Sequence, residues 1–166
     1  MIGQASGPRL LPWQNWDEWV HVRGLLWSPD PVDRNEGVLR VAAWRCRERV
    51  PHAVECTAQL VEVALHEWRC STYPGQYGRN SLQLRLMYSS VIVRTVNGLV
   101  EAHQKCAHAI SIQQIARQIG IPSWLVDLRH DAAHKDMPSL ASFRLASAFL
   151  LDYLSQRYWD VQQQNL

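Results

Sequence analysis

Between Leu128 and His134 the chain reads Leu-Arg-His-Asp-Ala-Ala-His, which puts one permanent cation (Arg129) and two imidazoles (His130, His134) within six residues. The flanking Trp124, Leu125, Val126 and Leu128 have the spacing of the apolar side of a helix. On such a helix His130 and His134 lie about 40° apart on one face. Arg129 stands about 100° before His130, and its long stem can carry the guanidinium to the same rim. These are parts for breaking a phosphodiester. An imidazole with an ordinary pKa of about 6.5 takes or gives a proton near neutrality. A guanidinium cannot act as a base there, but it binds non-bridging phosphate oxygens and offsets charge that builds up in the transition state. RNA brings its own nucleophile, the 2′-hydroxyl, so this chemistry calls for no metal and no other cofactor. Its products are a 2′,3′-cyclic phosphate and a 5′-hydroxyl end.

Two other readings use the same residues. His130-Asp131-Ala132-Ala133-His134 is H-D-x-x-H, one methylene short of the zinc-hydrolase H-E-x-x-H. Against it, the shorter Asp reaches a metal-bound water poorly, no later His supplies a third ligand, and Arg129 opposes a dication. The plainer alternative is a pair of surface histidines near a helix C-terminus, where the helix dipole favours them. On spacing alone the surface pair is the favoured reading.

The elements that must carry this run are helical almost throughout. A first helix covers Trp16, Trp19, Val20 and Arg23 and ends near Trp27, before Ser28-Pro29-Asp30-Pro31. A second runs from about Asp33 to Arg47 with Val38, Val41, Ala42 and Trp44 inward. Pro51 suits the first turn of a third, which ends before Tyr73-Pro74-Gly75. Ser71 to Asn80 reads as a loop. A long helix from Ser81 to Lys105 carries the ladder Leu84, Met87, Tyr88, Val91, Ile92, Thr95, Val96 and Leu99. Ser111 suits the cap of a short helix stopped by Gly120, and Ser123 the cap of the Arg–His helix, which Met137-Pro138 interrupts. A last helix runs from Ser139 to about Trp159. The predicted class is all-α, a bundle of six to seven helices with antiparallel neighbours. One domain is expected over residues 1–160, with 161–166 a polar tail that begins a linker.

Composition narrows the class further. The net charge of +2 excludes a polybasic tail. The cations are 15 Arg and only two Lys, which suits either internal ion pairs or a phosphate-binding surface. Eight Trp against two Phe imply indoles at core edges or in an interface. Cys46, Cys56, Cys70 and Cys106 have no C-x-x-C pairing and fall in core-like helical segments, which predicts reduced thiols. No leader and no membrane span is expected. On the long helix Arg85 and Arg94 are about 180° out of phase, so at least one is expected in an internal ion pair. Asn97, one turn after Arg94, and Arg94 itself are candidates to orient substrate at the Arg–His site, although helix packing is the plainer role for Asn97. His52, His66, His103 and His108 are read as ordinary histidines without assigned chemistry.

The sequence resembles the N-terminal domain of the Las family of pre-ribosomal RNA endoribonucleases, within the HEPN superfamily. The likeness covers most of the chain: Pro12-Trp13 with Trp16 and Trp19, Val41 to Arg45, Pro51 to Ala58, Leu84 to Tyr88, Ile92 to Gly98, Ile119 to His134, Pro138 to Leu140, and Tyr158-Trp159. The resemblance implies that Arg129 and His134 of the R-x-x-x-x-H motif are catalytic, with His130 in a supporting acid or base role. It further implies metal-independent cleavage of precursor ribosomal RNA in the second internal transcribed spacer, and a homodimer that joins two such helices in one composite site. A polynucleotide 5′-kinase partner, engaged through a C-terminal region not recognisable here, and a nuclear, nucleolar location follow from the same resemblance. The competing expectation is a non-catalytic dimerisation or scaffold module of a ribosome-assembly complex.

Overall fold

The computed structural model describes residues 11–77, 80–104 and 110–165. Among these the protein is an all-α helical bundle: α1 (Trp16–Leu26), α2 (Pro31–Arg47), α3 (His52–Thr72), the single turn α4 (Pro74–Tyr77), α5 (Ser81–Glu101), α6 (Ile112–Ile119), α7 (Ser123–His134), α8 (Leu140–Leu154), a π-helical turn (Ser155–Trp159) and α9 (Asp160–Gln164). The seven helices predicted from periodicity are all present. Their starts follow local chemistry. Asn15, Asp30, Asn80, Ser111 and Ser139 each accept a backbone N–H of the first turn of the helix that follows, at α1, α2, α5, α6 and α8.

Four boundaries differ from the expectation. The Ser71–Asn80 loop contains the exposed turn α4, opened by Pro74. The long helix ends at Glu101, where Ala102 and His103 turn off, rather than reaching Lys105, which lies outside the described residues. Ser123 is the first residue of α7 and Pro122 takes the cap position, without a side-chain cap bond. The last helix widens at Ser155–Trp159, where the Asp160 N–H bonds the Ser155 carbonyl five residues back. That extra residue per turn lets Trp159 leave the register of α8 and become fully buried. The polar tail continues the helix through α9.

Two apolar clusters share α3. Val54, Ala58, Val61 and Leu65 face α1 and α2, where they pack with Trp19, Leu26, Val41, Trp44 and Trp159. Cys56, Leu60 and Val63 face the second cluster, built from Ile92 and Val96 of α5, Ile115 of α6, Leu125 and Val126 of α7, and Phe143 and Leu150 of α8. The α5 ladder is buried at Leu84, Tyr88, Ile92, Thr95 and Val96, with Met87, Val91 and Leu99 half-buried. Six of the eight indoles form one connected set, Trp13, Trp16, Trp19, Trp27, Trp44 and Trp159, with ring centroids 4.8 to 5.9 Å apart. Trp44 donates its N–H to Glu18 Oε1 at 3.0 Å and Trp159 to Thr57 Oγ1 at 3.0 Å. The aromatic excess thus fills the N-terminal core.

Two smaller expectations are corrected. Cys46 is exposed on α2, unlike the buried Cys56 and Cys70, and Cys106 lies outside the described residues. Neither Arg85 nor Arg94 makes an ion pair among the described residues. The half-buried carboxylate near α5, Glu67, is taken instead by Arg144 and the Tyr88 hydroxyl. No described helix is long and apolar enough to cross a membrane.

Candidate active site

The Arg–His helix is positioned from both ends. At its start, Gly120 adopts a left-handed conformation (φ 82°) after α6. The Ile121 N–H bonds the Ala116 carbonyl at 2.8 Å and the Gly120 N–H bonds the Arg117 carbonyl at 3.3 Å. This is a Schellman closure, and it reverses the chain into Pro122. Leu125 and Val126 then anchor α7 in the second core, with Leu128 and Ala132 packed beside them. At the far end the Lys135 N–H closes the last turn on the Asp131 carbonyl, and Pro138 lies beyond.

Three consequences follow for the side chains. The rings of His130 and His134 sit one above the other, their centroids 5.2 Å apart and planes 54° apart, both exposed. Arg129, half-buried, reaches across to α5, where its Nε donates to Asn97 Oδ1 at 2.7 Å. Asp131, between the two histidines, is turned to Lys135 at 3.2 Å. The chain therefore brings together the two imidazoles, and separately Arg129 with Asn97. Arg94 lies one turn before Asn97 on α5, exposed. Asn97 is bonded to the site helix through this contact.

The Arg129–Asn97 contact has a specific chemical result. A guanidinium carries five N–H donors, and tethering Nε leaves the terminal Nη groups to bind an oxyanion. Asn97 is neutral, so it fixes the group without cancelling its charge. Both imidazoles face solvent. Among the described residues no group of three or more His, Cys, Asp or Glu converges as a metal cage would.

One contact beside the Asn97 anchor was not expected from the sequence. His52, at the start of α3, is seated on α5 at Gly98. A side-chain Cβ at position 98 would lie 2.1 Å from His52 Nε2, so only glycine admits the ring. The ring nitrogen is 3.2 Å from Cys56 Sγ and 3.5 Å from the Thr95 carbonyl. Burial pushes the Cys56 thiol up to about 11, with the Glu55 charge adding and Thr95 and Arg94 opposing. The signal in the sequence was Gly98, a poor helix former inside a long helix.

The Las1-like family profile matches residues 11–161. "Protein LAS1" of Saccharomyces cerevisiae is 34% identical over 166 residues, covering 94% of this chain and 32% of that protein. "Ribosomal biogenesis protein LAS1L" of Mus musculus is 32% identical, covering 92% of the chain and 19% of that protein. "Pre-rRNA-processing protein las1" of Schizosaccharomyces pombe is 28% identical, covering 92% and 31%. The chain thus spans a third or less of the length of these relatives. A family match over nearly its whole length, with Asn97, Arg129, His130 and His134 all inside the matched region, means that this chain belongs to the Las1-like family.

Proposed function

We propose that this chain is the nuclease domain of a metal-independent endoribonuclease that processes precursor ribosomal RNA. The observation that carries the reading is Arg129, tethered through Nε by Asn97, on the same short helix as the adjoining imidazoles of His130 and His134. The names of the relatives, a pre-rRNA-processing protein and a ribosomal biogenesis protein, support the substrate class and with it a nuclear, nucleolar location. The substrate segment is the second internal transcribed spacer.

The step is an in-line transfer. One imidazole accepts the proton of the 2′-hydroxyl, the 2′-oxygen forms its bond to phosphorus, and the bond to the 5′-oxygen breaks. A protonated imidazole gives its proton to that leaving oxygen. Arg129 holds the non-bridging oxygens as their charge grows. Entering and leaving oxygens lie on opposite sides of phosphorus, whereas His130 and His134 share one face of one helix. A second copy of α7 supplies the opposite side, so the working unit is a homodimer with a composite site. The 5′-hydroxyl product suits a polynucleotide 5′-kinase partner, engaged by a region outside this chain.

His134→Ala is expected to abolish cleavage of spacer RNA while leaving the thermal melt intact, because His134 is exposed. RNA with a single 2′-deoxy nucleotide at the scissile position is expected to resist the unaltered chain. Full cleavage by folded His134→Ala would overturn the reading. The scaffold alternative predicts that neither RNA is cut by any form of the chain.

A further inference from the structure

The outward strip of α5 carries Ser90, Arg94, Asn97 and Glu101 at steps of four, three and four residues, which is one face of a helix. The strip is flanked on both sides by residues already described. On one side Asn97 holds Arg129 of α7. On the other, the bare backbone at Gly98 seats His52 of α3, whose ring also touches the Thr95 carbonyl. Arg94 is exposed one turn before both anchor points, about 5 Å away along the axis. Its charge is felt at Cys56, which places it toward α3 as well.

Beyond His52 the surface continues into a shallow depression lined by Arg45, Glu48, Arg49, Val50, His52 and Glu55. Glu55 is engaged by Arg45 at 3.8 Å, and the Glu48 carboxylate accepts the Arg49 backbone N–H at 2.9 Å. The Arg49 and Arg94 guanidinium groups make no ion pair among the described residues. Glu101, exposed one turn past Asn97, bounds the strip at its other end. Cationic and ring donors thus border the strip: Arg129 at Asn97, Arg94 one turn before it, His52 at Gly98, and Arg49 in the depression that His52 also lines.

We infer that this strip is a phosphate track that holds the single-stranded RNA leading away from the scissile bond, with Arg94 and Arg49 as its backbone contacts and His52 between them. The inference rests on the nuclease reading for the choice of RNA as occupant. Two exposed arginines without carboxylate partners among the described residues, on the surface that borders the guanidinium proposed to bind the reacting phosphate, match the charge of such a strand. Contacts of this kind position a strand without reading its sequence.

The test is the double variant Arg49→Gln/Arg94→Gln, with Arg40→Gln as a control on the outer face of α2. Fluorescence anisotropy reads binding of a labelled single-stranded spacer RNA carrying a 2′-deoxy nucleotide at the scissile position, at several salt concentrations. Each lost phosphate contact lowers the slope of log affinity against log salt by about 0.7. The double variant is expected to bind at least about tenfold more weakly with a slope lower by about 1.4, and the control to bind unchanged. Both arginines are exposed, so a circular dichroism melt is expected to show the double variant folded. Unchanged affinity and slope in the folded double variant overturns the track, whatever the chain does to cleavable RNA. Weakened binding with the lower slope upholds the track even where the unaltered chain cuts nothing, and that combination overturns the nuclease reading alone.

Discussion

At the scale of single residues, the contact that matters most is Asn97 to Arg129. Asn97→Ala removes the acceptor and, under the proposed nuclease function, releases a guanidinium that must then be ordered at each turnover. A hydrogen bond to a charged group contributes about 1.5–3 kcal/mol, so kcat is expected to fall about ten- to a hundredfold with KM little changed. Asn97→Asp keeps the tether but neutralises the guanidinium, and is expected to weaken RNA binding as well. Equal kcat for the alanine variant and the unaltered chain, at matched pH across the profile, would leave Asn97 a packing residue only. Arg129, His130 and His134 were legible in the sequence because they are neighbours in it. That Asn97 is the partner of Arg129 was legible only as a possibility, since the bond spans 32 positions and exists because α5 packs on α7. His52 was passed over for the same reason: its seat is made by an absent side chain 46 positions away.

At the scale of elements, the joint between α6 and α7 sets the direction of the Arg–His helix. Gly120 is the described residue with a positive φ, and Arg157 Nη2 lies 3.3 Å from where a Cβ would stand. Gly120→Ala is expected to cost about 1–2 kcal/mol, read as a lower urea midpoint with an unchanged slope. An unaltered midpoint would show that the joint is not under this constraint. Ser111 and Gly120 were readable from the sequence because caps are local devices, satisfied within four or five residues. The π turn was not. Nothing in Ser155-Gln156-Arg157-Tyr158-Trp159 announces it. It exists because Trp159 meets Trp19 at 4.8 Å and Thr57 at 3.0 Å, and because Arg23 bonds Asp160. Likewise the ladder on α5 gave away a central helix, but not which of its flanks would be left for solvent.

At the scale of the whole molecule, α3 joins the two cores, and each core has a weakly acidic group on or in it. Burial pushes the Cys56 thiol up to about 11. Burial also pushes the Tyr158 phenol, packed against the first core, up to about 12. Both groups are neutral when protonated and hold that proton more tightly folded than unfolded. Their contribution is fully present below the unfolded values, about 8.5 for Cys and 10 for Tyr. It is lost as pH rises through 11 and 12. The urea midpoint is therefore expected to hold to about pH 8.5 and to fall steadily above it, with far-ultraviolet and tryptophan signals moving together. A midpoint flat to pH 11 would contradict the burial of both groups.

The indole of Trp159 has a further consequence, for how the polypeptide is made. The first core holds residues from Trp13 onward, yet its closing ring is 140 positions later than Trp19. During synthesis α1, α2 and α3 emerge early with an open gap where that ring belongs. They must wait, incompletely packed, until nearly the entire domain has left the ribosome.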